Sequence, residues 1–172
     1  AFVGKPCDAR ALRNYAKVNK HVDEKILYAF SFFCMGTPSY LGTDKLIQEL
    51  GFDKNNIKDL RYRGNGWPGS ATAVDDKGNS SSMSYSKSWG TITGEFLQPY
   101  CRWCADGVGE FADVSCGDAW YLDDNLKPKF DEADGRNVVF ARNSKGQELL
   151  NEMIEAGVIE LNDFSKDIEL LK

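Results

Sequence analysis

The amino-acid sequence predicts an α/β or α+β fold in which helices flank a mixed sheet within a single domain. Strand-length apolar runs alternate along the chain with helical patterns, and this interleaving is typical of layered folds. The chain has 172 residues, of which 42% are hydrophobic and 27% are charged. That composition is ordinary for a globular domain with a real core, and it excludes disordered and fibrous proteins.

The first part of the chain predicts two strands separated by a helix. Residues 2–4 resemble the end of a buried strand, and Asp8 can cap a helix over residues 8–18. Residues 25–33 form a continuous apolar run rich in aromatic side chains, which indicates a central strand. Because Ala1 is not an initiator methionine and a strand ends just after it, we expect this chain to be the later portion of a longer protein.

The middle of the chain predicts a helix followed by three strands. Thr43 can cap a helix over residues 44–50, where leucine and isoleucine share one face. Residues 57–63 alternate in the manner of a strand, although one of the two faces is charged. Residues 71–74 and 81–85 flank a polar turn that contains glycine and asparagine, so they predict a β-hairpin.

The last part of the chain predicts short strands and a helix. The predicted strands are residues 112–115, 137–141 and 158–161. Ser144 can cap a helix over residues 147–156, which Gly157 then ends. Asp163 can cap a final short helix. Residues 88–97 are ambiguous, because two glycines argue against a strong helix.

The charge balance and the single histidine exclude several classes of function. The 21 basic and 26 acidic residues give a net charge of −5, which lacks the basic footprint of a nucleic-acid-binding protein. The longest apolar stretch, residues 26–35, is about half of the roughly 20 residues that a membrane span needs. Because no stretch has the pattern of a signal peptide, we expect a cytoplasmic protein. His21 is the sole histidine and lies in a polar stretch, which excludes zinc sites built on several histidines.

The strongest chemical signal is the Cys-Arg-Trp-Cys segment at residues 101–104. Two thiolates at this spacing can face one point, as they do in zinc sites, iron–sulfur clusters and redox dithiols. A redox dithiol usually opens a helix after a strand, and Pro99 just before this pair disfavours such a helix. The pair alone leaves a structural metal site and inert thiols equally open.

Two further cysteines lie where predicted strands end. Cys7 follows the first strand, and Cys34 follows the aromatic run. If these strands are parallel neighbours, both thiols leave the sheet at the same edge, where ligands gather in open α/β sheets. Together with Cys101 and Cys104 they provide four thiolates, which suit zinc or a [4Fe–4S] cluster. The alternative is that they are small buried hydrophobic residues, which is the interpretation we prefer for Cys116.

Four motifs resemble, in the same order, the beta subunit family of hydrogenases and dehydrogenases that use the deazaflavin coenzyme F420. They lie at residues 4–13, 32–36, 101–104 and 110–118. The resemblance covers nearly all of residues 1–172, and it is to the C-terminal domain of that family together with the stretch just before it. The resemblance also leads us to expect that the family's upstream segment, which supplies much of the flavin site, is missing from this chain.

The resemblance implies an iron–sulfur flavoprotein oxidoreductase. In hydrogenase-type members FAD exchanges hydride with the deazaflavin, while a [4Fe–4S] cluster carries single electrons to or from a redox partner protein or subunit. Carried over by position, the cluster ligands fall on Cys7, Cys34, Cys101 and Cys104. Lys5 is close to Cys7 and could offset the charge of the cluster. The simpler interpretation is an ordinary exposed lysine, which is more common.

Several other residues are candidates for binding a cofactor or an anion. Arg61 and Arg63 could hold a phosphate or an anionic substrate beside neighbouring aromatic rings. Cys116, Gly117 and Asp118 lie at a predicted strand end, where they could line a cofactor. The simpler interpretation of the arginine segment is a strand that ends in a glycine-rich turn. The alternative function is a zinc-containing or metal-free module that binds a partner or an anion on its arginine and aromatic surface.

Overall fold

The computed structural model describes residues 1–162 and arranges them in two sheets with helices packed against them. The strands are β1 (Phe2–Gly4), β2 (Ala29–Phe32), β3 (Ile57–Arg61), β4 (Ser70–Asp75), β5 (Ser80–Ser84), β6 (Val114–Asp118) and β7 (Asn137–Ala141). The helices are α1 (Pro6–Ala16), α2 (His21–Lys25), α3 (Tyr40–Glu49) and α4 (Ser144–Glu155). Within this part of the chain, no helix is both long enough and apolar enough to cross a membrane.

The first sheet is the mixed sheet that the sequence predicts, and it confirms the α/β fold. Its order is β1-β2-β6-β7, in which β1, β2 and β6 run parallel while β7 pairs antiparallel with β6. Helix α1 packs on β1 and β2, and α4 packs on β7. Because β1 and β2 are parallel neighbours, their carboxyl ends open at the same edge of the sheet. The central strand β2 is shorter than the apolar run 25–33, because the short helix α2 takes up residue 25 and residues 26–28 and 33 lie outside any helix or strand.

The predicted hairpin belongs to a second sheet, which the sequence did not separate from the first. This sheet is antiparallel, with β4 between β3 and β5. The segment 88–97 that was ambiguous in sequence forms a π-helix over Ser86–Thr93, and this helix packs on α3 and β5. The core between these elements consists of small and aliphatic side chains. They are Leu46, Leu50, Ala71, Ala73 and Ile92.

Helices α1 and α3 begin before the residues expected to cap them, Asp8 and Thr43. Asp8 lies in the first turn of α1, and its carboxylate accepts a hydrogen bond of 3.0 Å from the backbone N–H of Lys5. It therefore stabilises the helix start from inside the helix. The hydroxyl of Thr43 is bonded to the hydroxyl of Tyr62 instead of a backbone N–H, which explains why it does not mark the start of α3.

Helix α4 also begins earlier than predicted, because its cap is Asn143 rather than Ser144. The side-chain oxygen of Asn143 accepts a hydrogen bond of 2.9 Å from the backbone N–H of Gly146. The predicted end of this helix at Gly157 is confirmed. The final helix expected at Asp163 lies outside the described residues.

The prediction of a strand over residues 158–161 is wrong, because this segment completes the end of α4. The backbone N–H of Val158 donates to the carbonyl of Met153 over 2.9 Å, and that of Gly157 donates to Ile154 over 3.0 Å. These two bonds form a Schellman motif, in which a hydrophobic residue commonly follows the glycine. The apolar residues after α4 therefore satisfy the helix terminus and do not pair with a sheet.

Candidate functional site

Four of the five cysteines line one cavity of about 190 Å³, which we call the thiol cavity. They come from three segments: Cys7 from the first turn of α1, Cys34 from the loop after β2, and Cys101 and Cys104 from the 3-10 helix Pro99–Trp103 and the residue after it. The rest of the wall is Lys5, Pro6, Met35, Gly36, Thr37, Tyr100, Asp106 and Gly107. Parallel pairing of β1 with β2 is what brings the first two cysteines to one edge.

Backbone groups approach the thiols closely. The backbone N–H of Thr37 donates to Cys101 Sγ over 3.5 Å, and the Cys104 thiol donates to the carbonyl of Asp106 over 3.3 Å. Gly36 makes this approach possible, because its φ is +120° and a Cβ there would lie 3.3 Å from the Cβ of Cys101. The wall of the thiol cavity is thus backbone as well as sulfur.

The thiol cavity is lined by sulfur donors from all four cysteines. Among residues 1–162, no three or more histidine, cysteine, aspartate or glutamate side chains are grouped so that they could hold one metal ion. All five cysteines are free thiols. Zinc needs its ligand sulfurs at about 2.3 Å from one centre, whereas an iron–sulfur cluster spreads its four thiolate bonds over several iron atoms. A set of four thiolates is compatible with either group.

The buried carboxylate of Asp106 fixes the loop that follows the cysteine pair. It accepts hydrogen bonds from the backbone N–H groups of residues 108–110, the shortest being 2.8 Å. The same loop is fastened to the strand exit, since the backbone N–H of Cys34 donates to the carbonyl of Gly107 over 2.9 Å. The loop that follows Cys104 is thus tied to the segment that carries Cys34.

Lys5 and Asp8 form an ion pair beside the thiol cavity. Lys5 Nζ lies 2.6 Å from Asp8 Oδ2. This hydrogen bond raises the pKa of Lys5 and lowers the pKa of Asp8, so each side chain favours its charged form. Burial, followed by the nearby charge of Asp8, raises the pKa of the Cys7 thiol. One positive and one negative group therefore lie next to the first cysteine.

A larger space of about 530 Å³ adjoins the thiol cavity. We call it the aromatic groove, because its wall contains the rings of Phe32, Phe33, Tyr85, Trp89 and Trp120. The two spaces share part of their walls. The shared residues are Lys5, Cys34, Met35, Gly36, Thr37 and Gly107. A group bound in the aromatic groove would therefore be a close neighbour of a group bound by the thiols.

Arg63 is held in the wall of the aromatic groove by an ion pair and by two rings. Its Nη1 lies 2.5 Å from Asp118 Oδ2, and its guanidinium carbon lies 5.4 Å from the ring centre of Tyr85 and 5.1 Å from that of Trp120. The other oxygen of Asp118 accepts a hydrogen bond of 3.2 Å from Trp67 Nε1. These contacts fix a cation that still has N–H groups to offer an anion.

The other three residues expected to bind a cofactor do not line either space. Arg61 is exposed on β3 and donates to a neighbouring asparagine. Cys116 is half-buried within β6, and burial raises the pKa of its thiol. Gly117 allows the ring of Phe33 to lie directly on β6, because a Cβ there would overlap that ring. Of the five candidates, the structure brings only the arginine–aspartate pair to the aromatic groove.

Sequence reasoning missed most of the aromatic groove. Tyr85 immediately precedes the π-helix, Trp89 lies within it, and Trp120 follows β6. A spacing of four residues places Tyr85 and Trp89 on one face of a helix, which is a signal that could have been used. Trp120 had only its position just beyond a strand end as a signal.

Comparison with known families gives one match over almost the whole chain. A sequence model for the C terminus of the coenzyme F420 hydrogenase/dehydrogenase beta subunit matches residues 1–167. The chain is also 27% identical, over 185 residues, to the coenzyme F420 hydrogenase subunit beta of Methanococcus voltae. That similarity covers 99% of this chain and 56% of the relative, so the chain spans about half the length of this curated protein.

A solved structure has a similar fold. It is the F420-reducing [NiFe] hydrogenase complex from Methanosarcina barkeri, studied as a xenon derivative. One of its chains matches with a TM-score of 0.57 at 21% sequence identity, covering 90% of this chain and 48% of that chain. This similarity supports the α/β architecture described above.

Proposed function

Because this chain belongs to the coenzyme F420 hydrogenase/dehydrogenase beta subunit family, we propose that it is part of an iron–sulfur flavoprotein oxidoreductase. In this proposal Cys7, Cys34, Cys101 and Cys104 bind a [4Fe–4S] cluster. FAD binds in the aromatic groove of the full-length protein and exchanges hydride with a deazaflavin or a related substrate.

The observation that carries the proposal is the convergence of four thiols from three segments on one cavity. Free cysteines that serve only as small core residues have no reason to gather in this way. Four thiolates are the usual ligand set of a [4Fe–4S] cluster.

The aromatic groove suits a flat, partly anionic ring system. Its aromatic wall can cover such a ring, and the fixed guanidinium of Arg63 can bind a phosphate or a ring carbonyl. Asp118, which also lines the groove, keeps that guanidinium in place through their ion pair. Gly117 contributes by leaving room for the ring of Phe33 on β6, while Arg61 and Cys116 lie outside the groove.

In this proposal the thiol cavity and the aromatic groove are adjacent because the cluster and the flavin must exchange electrons. A bound flavin supplies the exchange between the two electrons of a hydride and the single electrons that a cluster carries. The thiol cavity and the aromatic groove share part of their walls, so a cluster in the first and a flavin in the second would be neighbours, and electrons would travel only a short distance between them. Phe32 and Phe33 cover this region with apolar surface and limit the access of water.

The test is to prepare the full-length protein without oxygen and to measure its iron, sulfide and visible spectrum. We expect a brown protein with about four iron and four sulfide per chain. Replacing Cys101 with Ser should remove most of this iron. Cys116→Ser is the matched control, because this thiol lies outside the thiol cavity, and it should keep the iron content of the wild type.

Two results would overturn the proposal. A colourless, iron-free anaerobic protein would do so, as would a C101S variant with undiminished iron. Stoichiometric zinc in place of iron would favour the alternative, a structural module that binds a partner or an anion on its arginine and aromatic surface.

On the same basis we propose a redox partner protein and a cytoplasmic location. The curated relative is named as a subunit, which supports a protein partner. Five free cysteines favour a reducing compartment.

A further inference from the structure

A lysine lies where the thiol cavity and the aromatic groove share a wall. Lys5 lines both spaces, at the junction between β1 and α1. It lies two residues before Cys7 and lines the thiol cavity together with Cys7 and Cys34. A positive charge at this position therefore acts on whatever anionic group the four cysteines hold.

Asp8 places an opposite charge beside this lysine. The two side chains are 37% and 41% exposed, and their charged atoms are 2.6 Å apart. Stabilisation of the helix start needs only the backbone, because the backbone N–H of Lys5 donates to the same carboxylate over 3.0 Å. Any residue with a backbone N–H at position 5 keeps that bond, so the helix does not require the ammonium group.

We propose that Lys5 raises the midpoint reduction potential of the cluster and that Asp8 lowers it, an inference that rests on the proposed function. A [4Fe–4S] cluster with four thiolate ligands is an anion, and one-electron reduction adds one more negative charge. A nearby cation stabilises the reduced form more than the oxidised form, and a nearby anion does the opposite. The step adds one electron from an external reductant and changes no bond of Lys5 or Asp8.

The test is an equilibrium redox titration of the anaerobic, iron-loaded full chain with dithionite and mediator dyes, followed by electron paramagnetic resonance. We expect the midpoint potential of Lys5→Met to be more negative than that of the wild type. Asp8→Asn should shift it in the positive direction, and the charge-preserving Lys5→Arg should leave it unchanged. These differences should shrink as salt is added, because the pair is partly exposed to solvent.

Opposite shifts separate an effect of charge from an effect on structure. A damaged helix start would change K5M and D8N in the same direction, and that result would overturn the inference. An iron-loaded K5M with the wild-type potential would overturn it as well, while leaving the proposed function intact. If K5M loses its iron, the midpoint potential of D8N decides the question. A D8N potential equal to that of the wild type would refute the inference. A wild-type chain without iron refutes the proposed function and this inference with it.

Discussion

Asp113 is a buried carboxylate that ties three elements together. Its oxygens accept hydrogen bonds of 2.8 Å from the backbone N–H of Ala29, from Arg13 Nη2 and from Asn143 Nδ2. We expect Asp113→Asn to lower the free energy of unfolding by about 2–4 kcal/mol, because it removes the charge that pairs with Arg13 in a buried place. Urea denaturation measures this. Asp59→Asn, on the exposed part of β3, is the control and should stay within about 0.5 kcal/mol of the wild type.

The same carboxylate makes stability depend on pH. Burial raises the pKa of Asp113, but the hydrogen bonds from Ala29 and Asn143 and the charge of Arg13 outweigh burial and hold it below its usual value of 3.8. Its contribution is therefore complete above about pH 4 and is lost as the pH falls through the folded-state pKa. The wild type should lose stability more steeply than D113N below pH 4 in urea titrations. Parallel pH profiles of the two proteins would contradict this account.

Gly36 sets the space available beside the cysteine pair. Its φ of +120° is unfavourable for other residues, and a Cβ there would lie 2.8 Å from Leu97 Cδ2 and 3.3 Å from the Cβ of Cys101. Under the proposed function, Gly36→Ala should lose at least about half of the iron of the anaerobic protein, because Cys101 must move. Gly90→Ala is the control, since a Cβ there meets no atom within 4 Å. Equal iron contents of both variants would show that Gly36 does not shape the cavity.

At the scale of elements, α4 approaches the strand layer closely at Gly146. A Cβ on Gly146 would overlap the carbonyl oxygen of Asp113, just before β6. Gly146→Ala should therefore destabilise the protein by about 1–3 kcal/mol, even though alanine favours helices more than glycine does. Thermal unfolding of G146A beside G90A separates the two effects. A stabilised G146A would mean that α4 can move away from β6 without loss.

Elements could be predicted from sequence where local contacts determine them. The hairpin of β4 and β5 is confirmed, because Asp75 holds its turn through the nearby backbone N–H groups of Lys77 and Asn79. The start of α3 could not be found in this way, since the Thr43 hydroxyl bonds a residue beyond β3 instead of its own helix. The prediction of a strand over residues 158–161 was wrong for the opposite reason. Here a local contact decided the structure, because the backbone N–H groups of Gly157 and Val158 bond to carbonyls at the end of α4.

At the scale of the whole molecule, the sulfur part of the candidate site could be predicted and the aromatic part could not. Two cysteines follow strands, so the geometry of parallel sheets is enough to bring Cys7 and Cys34 to one edge. The aromatic groove depends on how the second sheet lies against the first. Arg63 follows β3, whereas its partner Asp118 ends β6, and no local pattern in the sequence encodes their meeting.

The thiol cavity joins parts of the chain that are far apart in sequence, so occupancy of the cavity should affect the stability of the whole molecule. Under the proposed function the cluster crosslinks α1, the loop after β2 and the loop over residues 99–107. Removing iron with a chelator under argon should therefore lower Tm by roughly 5 °C or more.

Hydrogen exchange shows where that stability is located. Amide protection at Cys34, Thr37 and residues 100–107 should fall after iron removal, because these groups adjoin the thiols. The antiparallel sheet of β3, β4 and β5 is the internal control, since it contributes no thiol and should exchange as before. If protection fell equally in both regions, chelation would be unfolding the whole protein, and if it fell in neither, the four cysteines would not be holding a common group.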